Sequence, residues 1–294
     1  MPFRLENIPV SLIATLGTEP QVVTAALDLL LRQGEAVSRV CVLHTVSDDP
    51  AIQRSAQVLR GEFNQPPYAE RFRLELVPLT DSDDHPLPDV ETPQAIQGAF
   101  RTLYRQVWQA KRSGERLHLC LAGGRKSLSP FVMITAQLLF DDQDCLWYLY
   151  SSGGFLRDKR LHPQPGDDVH LLPIPIPLRE VISPAFTHLR QVSDPYEALD
   201  RIHRLELEEK ISQARIFALA LLSPAEERAV SLLVQEGLSD QEIAERLHLS
   251  PRTVEQHLRS AYAKAADHWE IENVSRAQLI TLLHLYYSLR GKEE

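Results

Sequence analysis

Apolar positions in the first 175 or so residues follow two alternating rhythms. Short β-branched or apolar runs, "PVSLIATL", "VSRVCVLHT", "FRLELVPL", "RLHLCLA" and "CLWYLYS", are separated by stretches near 20–33, 50–62, 92–113 and 127–140 whose apolar residues recur at helical spacing. Strands alternating with helices at this interval predict a doubly wound, Rossmann-like α/β domain with a mainly parallel sheet covered on both faces. In such an open sheet ligands bind at the carboxyl ends of the strands, so the loops 17–21, 45–49, 80–84, 123–127 and 151–154 are where chemistry is expected.

After the fifth run the rhythm breaks. In "HLLPIPIPLREVISP" the prolines stand at alternate positions, which neither a helix interior nor a central strand tolerates, so the segment is expected to run extended along an edge or as a stiff connector. It divides the chain into a ligand-sensing domain at 1–177, a linker with an amphipathic helix at 178–221 and an all-helical domain at 222–294. Over 196–221 Leu207, Ile211, Ala214, Ala218 and Leu221 keep heptad spacing, which fits either a short coiled coil or a helix packed on its own chain.

The C-terminal part holds three helix starts in a row. Ser223 with Glu226 and Ser239 with Glu242 have the spacing of capping boxes, and Ser250 precedes a proline suited to the first helical position. Gly237 sits where the first helix should stop, the second helix is short, and Ala244 is small where two helices must cross. This is helix-turn-helix geometry. Val254, Leu258 and Ala261 predict the buried stripe of the third helix, leaving Arg252, Thr253, Glu255, Gln256 and Arg259 outward, where side chains can meet phosphates and base edges of double-stranded DNA. The many acids (Glu226, Glu227, Glu236, Asp240, Glu242, Glu245) favour a protein-contact bundle instead, but they fall mainly in the first two helices.

Composition narrows the picture. A formal charge of −9 in 294 residues excludes a coat for non-specific nucleic-acid binding, so any DNA contact must be locally basic. No apolar stretch has the length of a membrane span and "MPFRLENIPV" lacks a signal-peptide layout, so a cytoplasmic protein with no membrane contact is expected. Cys41, Cys120 and Cys145 lie singly in apolar runs and read as core residues; no metal site or cofactor is expected.

The turn "LAGGRKSLSP" is the strongest candidate for ligand chemistry. It is no Walker loop, and no G-x-G-x-x-G follows the first strand. Its glycines still let the backbone approach an anion, helix N–H groups follow, and Arg125 and Lys126 add charge. A phosphorylation receiver is excluded, since the first loop offers only Glu19 and the fifth offers serines and glycines.

Two resemblances follow from these motifs. "LSPAEERAVSLLVQEGLSDQEIAERLHLSPRTVEQHLRSAYAK" resembles the DNA-binding domain of LuxR-type transcription regulators, which implies a recognition helix at 251–265 with Arg252, Thr253, Gln256 and Arg259 facing DNA. "IATLGTEPQVVTAAL" paired with "LHLCLAGGRKSLSPFVMITAQLL" resembles the CRISPR-associated Rossmann-fold (CARF) family and its ring-nuclease branch. That likeness implies a homodimer whose facing clefts hold a cyclic oligoadenylate, with cyclic tetra-adenylate as the expected form, between Gly17, Thr18, Glu19, Gln21, Gly123, Gly124, Arg125, Lys126, Ser127 and Ser151. It implies a ligand-responsive regulator binding palindromic DNA in a type III CRISPR system, or alternatively a metal-independent nuclease that opens the ring, with Lys126 and Glu19 as catalytic groups. Glu19 stands where many of the ring nucleases carry serine. A regulator answering an ordinary nucleotide or phosphorylated metabolite is the third reading, and the acidic loop 80–91 is either a lid or plain surface.

Overall fold

The computed structural model describes residues 8–121, 123–124, 126–152, 154–176 and 191–290. The chain forms two compact units, Met1–Arg201 and Ile202–Glu294.

The first unit runs β1 (Val10–Leu16), α1 (Gln21–Arg32), β2 (Val37–His44), α2 (Pro50–Phe63), α3 (Tyr68–Arg71), β3 (Arg73–Pro78), α4 (Pro93–Arg112), β4 (Arg116–Cys120), α5 (Ser129–Leu139), β5 (Cys145–Ser151), α6 (Gly154–Arg157) and β6 (Val169–Ile174). The strands make one sheet in the order β3-β2-β1-β4-β5-β6, parallel except for the antiparallel edge strand β6. The expected doubly wound α/β architecture is therefore present. Every residue of β1 is buried, as a central strand covered on both faces requires. Leu12, Ala14 and Leu16 join Val23, Ala26, Leu27 and Leu30 of α1 and Leu59 and Phe63 of α2 in one core. Alternating residues such as Ile13 face the other side, where Phe100, Leu103 and Val107 of α4 and Val132 and Ala136 of α5 are also buried.

The proline-rich stretch begins as the edge strand β6, with Pro173 paired to Trp147 where no partner strand asks for its missing N–H. Residues 177–190, which include the first part of the expected linker, lie outside the described residues. Cys41 and Cys120 are buried free thiols, each pushed up to about 12 by burial, as core residues rather than reactive ones.

The second unit contains the end of α7 (Pro195–Ile216), the π turn Phe217–Leu221, α8 (Pro224–Glu236), α9 (Asp240–Leu247), α10 (Pro251–His268) and α11 (Arg276–Arg290). Its core joins Phe217, Leu233, Ile243, Val254, Leu258, Ala261, Leu279 and Leu283. The heptad positions do not form one stripe: Ala214 and Ala218 are buried beside Phe217, whereas Leu207 and Leu221 are exposed. The wider π turn shifts the register where the stripe would have continued.

Each expected cap is present. Ser223 with Glu226 and Ser239 with Glu242 form reciprocal capping boxes, Ser250 accepts from the Thr253 N–H, and Gly237 ends α8 in the left-handed region. Glu226 is 6% exposed, and burial alone would raise its pKa. Hydrogen bonds from Lys264, Ser260 and Ser223 outweigh that and hold it at about 2. Glu226→Ala removes one half of a cap and leaves Lys264 with only the Leu221 carbonyl, so urea unfolding of the second unit should show a loss of ~1–2 kcal/mol. An unchanged midpoint would show that this network carries no stability.

Candidate functional site

The sheet order reverses between β1 and β4, and the turns leaving these two strands touch. Thr15, buried in β1, donates its hydroxyl to the carbonyl of Gly123. A Cβ on Gly123 would stand 2.1 Å from the Thr15 carbonyl oxygen, and one on Gly17 would meet the Gly124 backbone at 3.1 Å. Gly124 has φ +82°, and its own Cβ position is 3.1 Å from the Thr15 side chain. The glycines of both motifs are thus explained by one contact: two backbones pressed together at the switch point, leaving no room for side chains.

Around this contact lies a cleft of about 190 Å³ lined by Thr15, Leu16, Gly17, Thr18, Thr45, Asp49, Gly124 and Leu128, with Val90 closing one side. Val90 comes from the acidic loop, which is held in place rather than loose. Leu87 and Val90 are buried, the Leu87 carbonyl accepts from the Val46 N–H at 2.8 Å, and the Ser127 hydroxyl donates to the Val90 carbonyl at 3.4 Å. Loop 80–91 is therefore a wall of the cleft. Asp81, Asp83 and His85 approach one another within it, but the Asp81 carboxylate already accepts the Asp83 and His85 N–H groups at 2.9 Å, the geometry of a turn.

Two helices start at this cleft, α1 after the β1 turn and α5 after the β4 turn, and neither has a side-chain cap or an acid in its first turn. By contrast α2, α4, α8, α9 and α10 are each capped by an Asp, Thr or Ser side chain. Val22 and Val23 of α1 donate to the Glu19 and Pro20 carbonyls at 3.3 and 3.1 Å and a 3₁₀ turn, Lys126–Leu128, leads into α5, so what the two starts offer an anion is the positive end of each helix dipole.

A larger cleft of about 710 Å³ adjoins the first, sharing Thr18 with it. Glu19, Pro20, Gln21, Ala51, Arg54, Ser55, Val58, Lys159 and Leu161 complete its lining. Glu19 is ion-paired with Lys159 and accepts from the Gln21 amide, so its charge is balanced without Lys126. Lys159 belongs to a strap that follows α6 and lies along α1. Thr24 donates to the Leu161 carbonyl, Arg32 donates to the Pro163 carbonyl at 2.7 Å, and Asp28 meets His162 at 2.8 Å. The other ring nitrogen of His162 meets Glu62 of α2 at 3.0 Å. Hydrogen bonding to Asp28, helped by Glu62, pushes the His162 pKa up to about 9 against the effect of burial.

The expected ligand residues are thus distributed. Gly17, Thr18 and Gly124 line the smaller cleft, and Thr18, Glu19 and Gln21 line the larger. Gly123 is the packing residue beneath the turn. Ser127 braces Val90, and Lys126 is exposed on the turn after Gly124 with no ion pair among the described residues. Ser151 ends β5 with its hydroxyl buried and is part of neither lining. Arg125 lies outside the described residues. Sequence reasoning missed Lys159, Arg54 and Ser55. The only signal for the strap was the polar series Gln21, Thr24, Asp28 and Arg32 at helical spacing on an otherwise apolar helix.

In the helical unit Arg252, Gln256 and Arg259 line an open groove with Asp240, Pro251 and Glu255, and Thr253 is drawn toward the Ser250 cap, their hydroxyls 2.7 Å apart. The acids of the first two helices are engaged internally: Glu226 with Lys264, Glu227 with Arg290, Glu236 with Arg246 and Asp240 with Arg276. Among the described residues Arg252 and Arg259 form no ion pair, so α10 offers its cations outward.

An α/β unit with a built crevice at its switch point and a helix-turn-helix unit share this chain. Residues 19–208 match the family model "CRISPR-associated protein NE0113", more than half the chain, and the protein belongs to that family. Residues 216–264 match the model for sigma-70, region 4. Local similarity extends to proteins described as HTH-type transcriptional regulators. One from Mycobacterium bovis is 49% identical over 59 residues, 20% of this chain and 6% of the relative. One from Mycobacterium tuberculosis H37Rv is 58% identical over 43 residues, 15% of this chain and 5% of the relative. The chain thus spans only a small fraction of the length of these relatives. Among the described residues no helix is long and apolar enough to cross a membrane.

Two outcomes follow. Gly123→Ala forces the β1 and β4 turns apart and should destabilise the first unit by more than ~2 kcal/mol, with Gly124→Ala costing about 1–2 through its left-handed backbone; equal stability of both variants in urea unfolding would contradict the close packing. For His162, the folded pKa lies above the ordinary value of ~6.5, so the strap's contribution is complete below that pH and fades as pH rises through about 9. Thermal melts of the parent and His162→Ala should differ most near pH 6 and converge near pH 10; a constant gap would assign the effect to packing alone.

Proposed function

We propose that this protein is a cyclic oligoadenylate-responsive transcription regulator of a type III CRISPR system, acting as a homodimer. Its first unit reads as a CARF-type sensor and its second as a LuxR-type DNA-binding headpiece. The observation that carries the reading is the pairing, in one chain of a CRISPR-associated family, of two helix starts without side-chain caps at the switch point with an exposed helix face whose Arg252 and Arg259 form no ion pair among the described residues. A ring of adenylates is polyanionic and symmetric, so two copies of one cleft related by a two-fold axis suit it. Lys126, exposed beside the cleft, and Arg125 supply charge, with Gly17, Thr18, Gln21, Gly124 and Ser127 around the phosphates and riboses; Ser151, which lines neither cleft, is not needed for this arrangement.

Two headpieces in a dimer fit palindromic half-sites about one helical turn apart, ~34 Å. Arg252, Thr253, Gln256 and Arg259 face the major groove. Binding without turnover is the favoured reading because Glu19, the residue that departs from the ring-nuclease pattern, is tied to Lys159 and Gln21 rather than left available as a base.

Labelled cyclic tetra-adenylate incubated with the pure protein should be recovered intact while DNA affinity changes. Rapid appearance of linear products would favour the nuclease, and a thermal shift with ordinary nucleotides but not with the ring would favour a metabolite sensor. Arg252→Ala and Arg259→Ala should each weaken DNA binding and lower the salt slope by ~1; unchanged binding would remove α10 from the interface.

A further inference from the structure

Helix α4 is gripped on one side by a wall of the switch-point cleft and on another by the start of α7. The wall, loop 80–91, begins against α4: Thr80 bonds to the Thr102 hydroxyl through its N–H at 3.1 Å and through its own hydroxyl at 2.9 Å. A Cβ on Gly98, one turn earlier, would stand 2.4 Å from the Thr80 carbonyl oxygen. The loop ends where α4 starts, with the Thr92 hydroxyl accepting from the Ala95 N–H at 3.1 Å. Val90, which lines the cleft, therefore sits in a loop fastened to α4 at both ends.

The other side of α4 holds the residues that open α7. Asp194 caps α7 with one carboxylate oxygen, which accepts from the Tyr196 and Glu197 N–H groups at 2.9 and 3.2 Å, and its other oxygen accepts from Arg101 at 2.8 Å. The Arg101 guanidinium lies 4.9 Å from the centre of the Tyr196 ring, and the Tyr104 hydroxyl donates to the Val192 carbonyl at 3.2 Å. A second line of contact comes from α5. Phe131, in the first turn of that helix, packs on Phe100 at 4.8 Å, and Phe100 packs on Tyr196 at 5.5 Å, measured between ring centres. Both the wall of the cleft and a helix that starts at it thus bear on the first turn of α7. The boundary between the two units falls inside α7, between Arg201 and Ile202, and Phe217 and Ala218 directly after this helix belong to the core of the second unit.

We infer, on the ligand-responsive reading above, that the Arg101–Asp194 joint couples the two sites: it passes occupancy of the switch point from α4 to the first turn of α7 and so to the headpiece. Arg101 is a positioning residue, lining neither cleft of the first unit nor the groove of α10. With side chains 35% and 37% exposed, such a pair adds little to folding stability. Its geometric effect is larger, because the carboxylate it holds is the one that caps α7. A ligand that displaces Val90 or the start of α5 moves the cap through α4; without the pair, α4 shifts and leaves the cap behind.

The test uses the full-length protein, cyclic tetra-adenylate and a DNA duplex that the parent selects from a random pool. The parent's DNA affinities with and without the ring should differ by ~5-fold or more, the lower end of ordinary allosteric coupling, and Arg101→Ala should bring that ratio below ~2. Its affinity for the ring without DNA and its melting temperature should stay at the parent's values. Arg101→Gln, which keeps the bulk and loses the charge, should behave in the same way. Arg112→Ala, at the far end of α4 where the side chain stacks on Trp108, should keep the parent's ratio. A parent-like ratio in the Arg101 variants, or its loss in Arg112→Ala as well, overturns the joint and leaves the regulator reading standing. Weakened ring binding in the Arg101 variants also overturns it, by moving the effect of the residue to the cleft. If the parent's own DNA affinity ignores the ring, the ligand-responsive reading beneath the joint fails instead.

Discussion

The structure of the α/β unit depends on one contact, the pressing of the Gly123–Gly124 turn onto the end of β1. Thr15 supplies the hydroxyl that holds the turn, and its carbonyl fills the space that any side chain on Gly123 would need. Because the strand order reverses there, this contact sets where α1 and α5 begin and brings their uncapped N-termini to a common cleft. Glycine at these positions is thus a consequence of backbone proximity, and the proposed affinity for anions is a consequence of that proximity rather than of a dedicated phosphate-loop motif.

A second constraint separates charge from function in the helical unit. Glu226, Glu227, Glu236, Asp240 and Glu242 of α8 and α9 are spent on caps and on ion pairs with Lys264, Arg290, Arg246 and Arg276, which tie α8, α9, α10 and α11 together. The outer face of α10 carries Arg252, Gln256 and Arg259, with Glu255 beside them. An acidic protein can therefore present a locally basic surface, which is how a net charge of −9 is reconciled with the proposed DNA binding.

Much of this was legible in the sequence where local rules decide the outcome. The caps at Ser223, Ser239 and Ser250 and the stripe Val254, Leu258, Ala261 depend on residues a few positions apart, and they appear as read. The sheet followed from run length and alternation. What escaped was the strap carrying Lys159 and His162, because its partners Glu19, Asp28 and Glu62 are 100 to 140 residues away and no periodicity links them. Nor could spacing reveal that a π turn would follow Ile216, with Ala218 buried and Leu221 exposed within it, or that Leu207 would be exposed on α7 while Ala214 is buried. The role of Val90 as a wall was hidden for the same reason, since the acidic residues around it read as surface.

The central claim is that the switch-point turns, rather than any other surface of the α/β unit, receive the phosphates of the messenger. Backbone hydrogen exchange with and without cyclic tetra-adenylate addresses it directly. The amides at the starts of α1 and α5, residues 17–24 and 126–132, should exchange markedly more slowly when the ring is bound. Saturating ligand that leaves both segments unprotected, or that protects only the opposite ends of the strands, would contradict it.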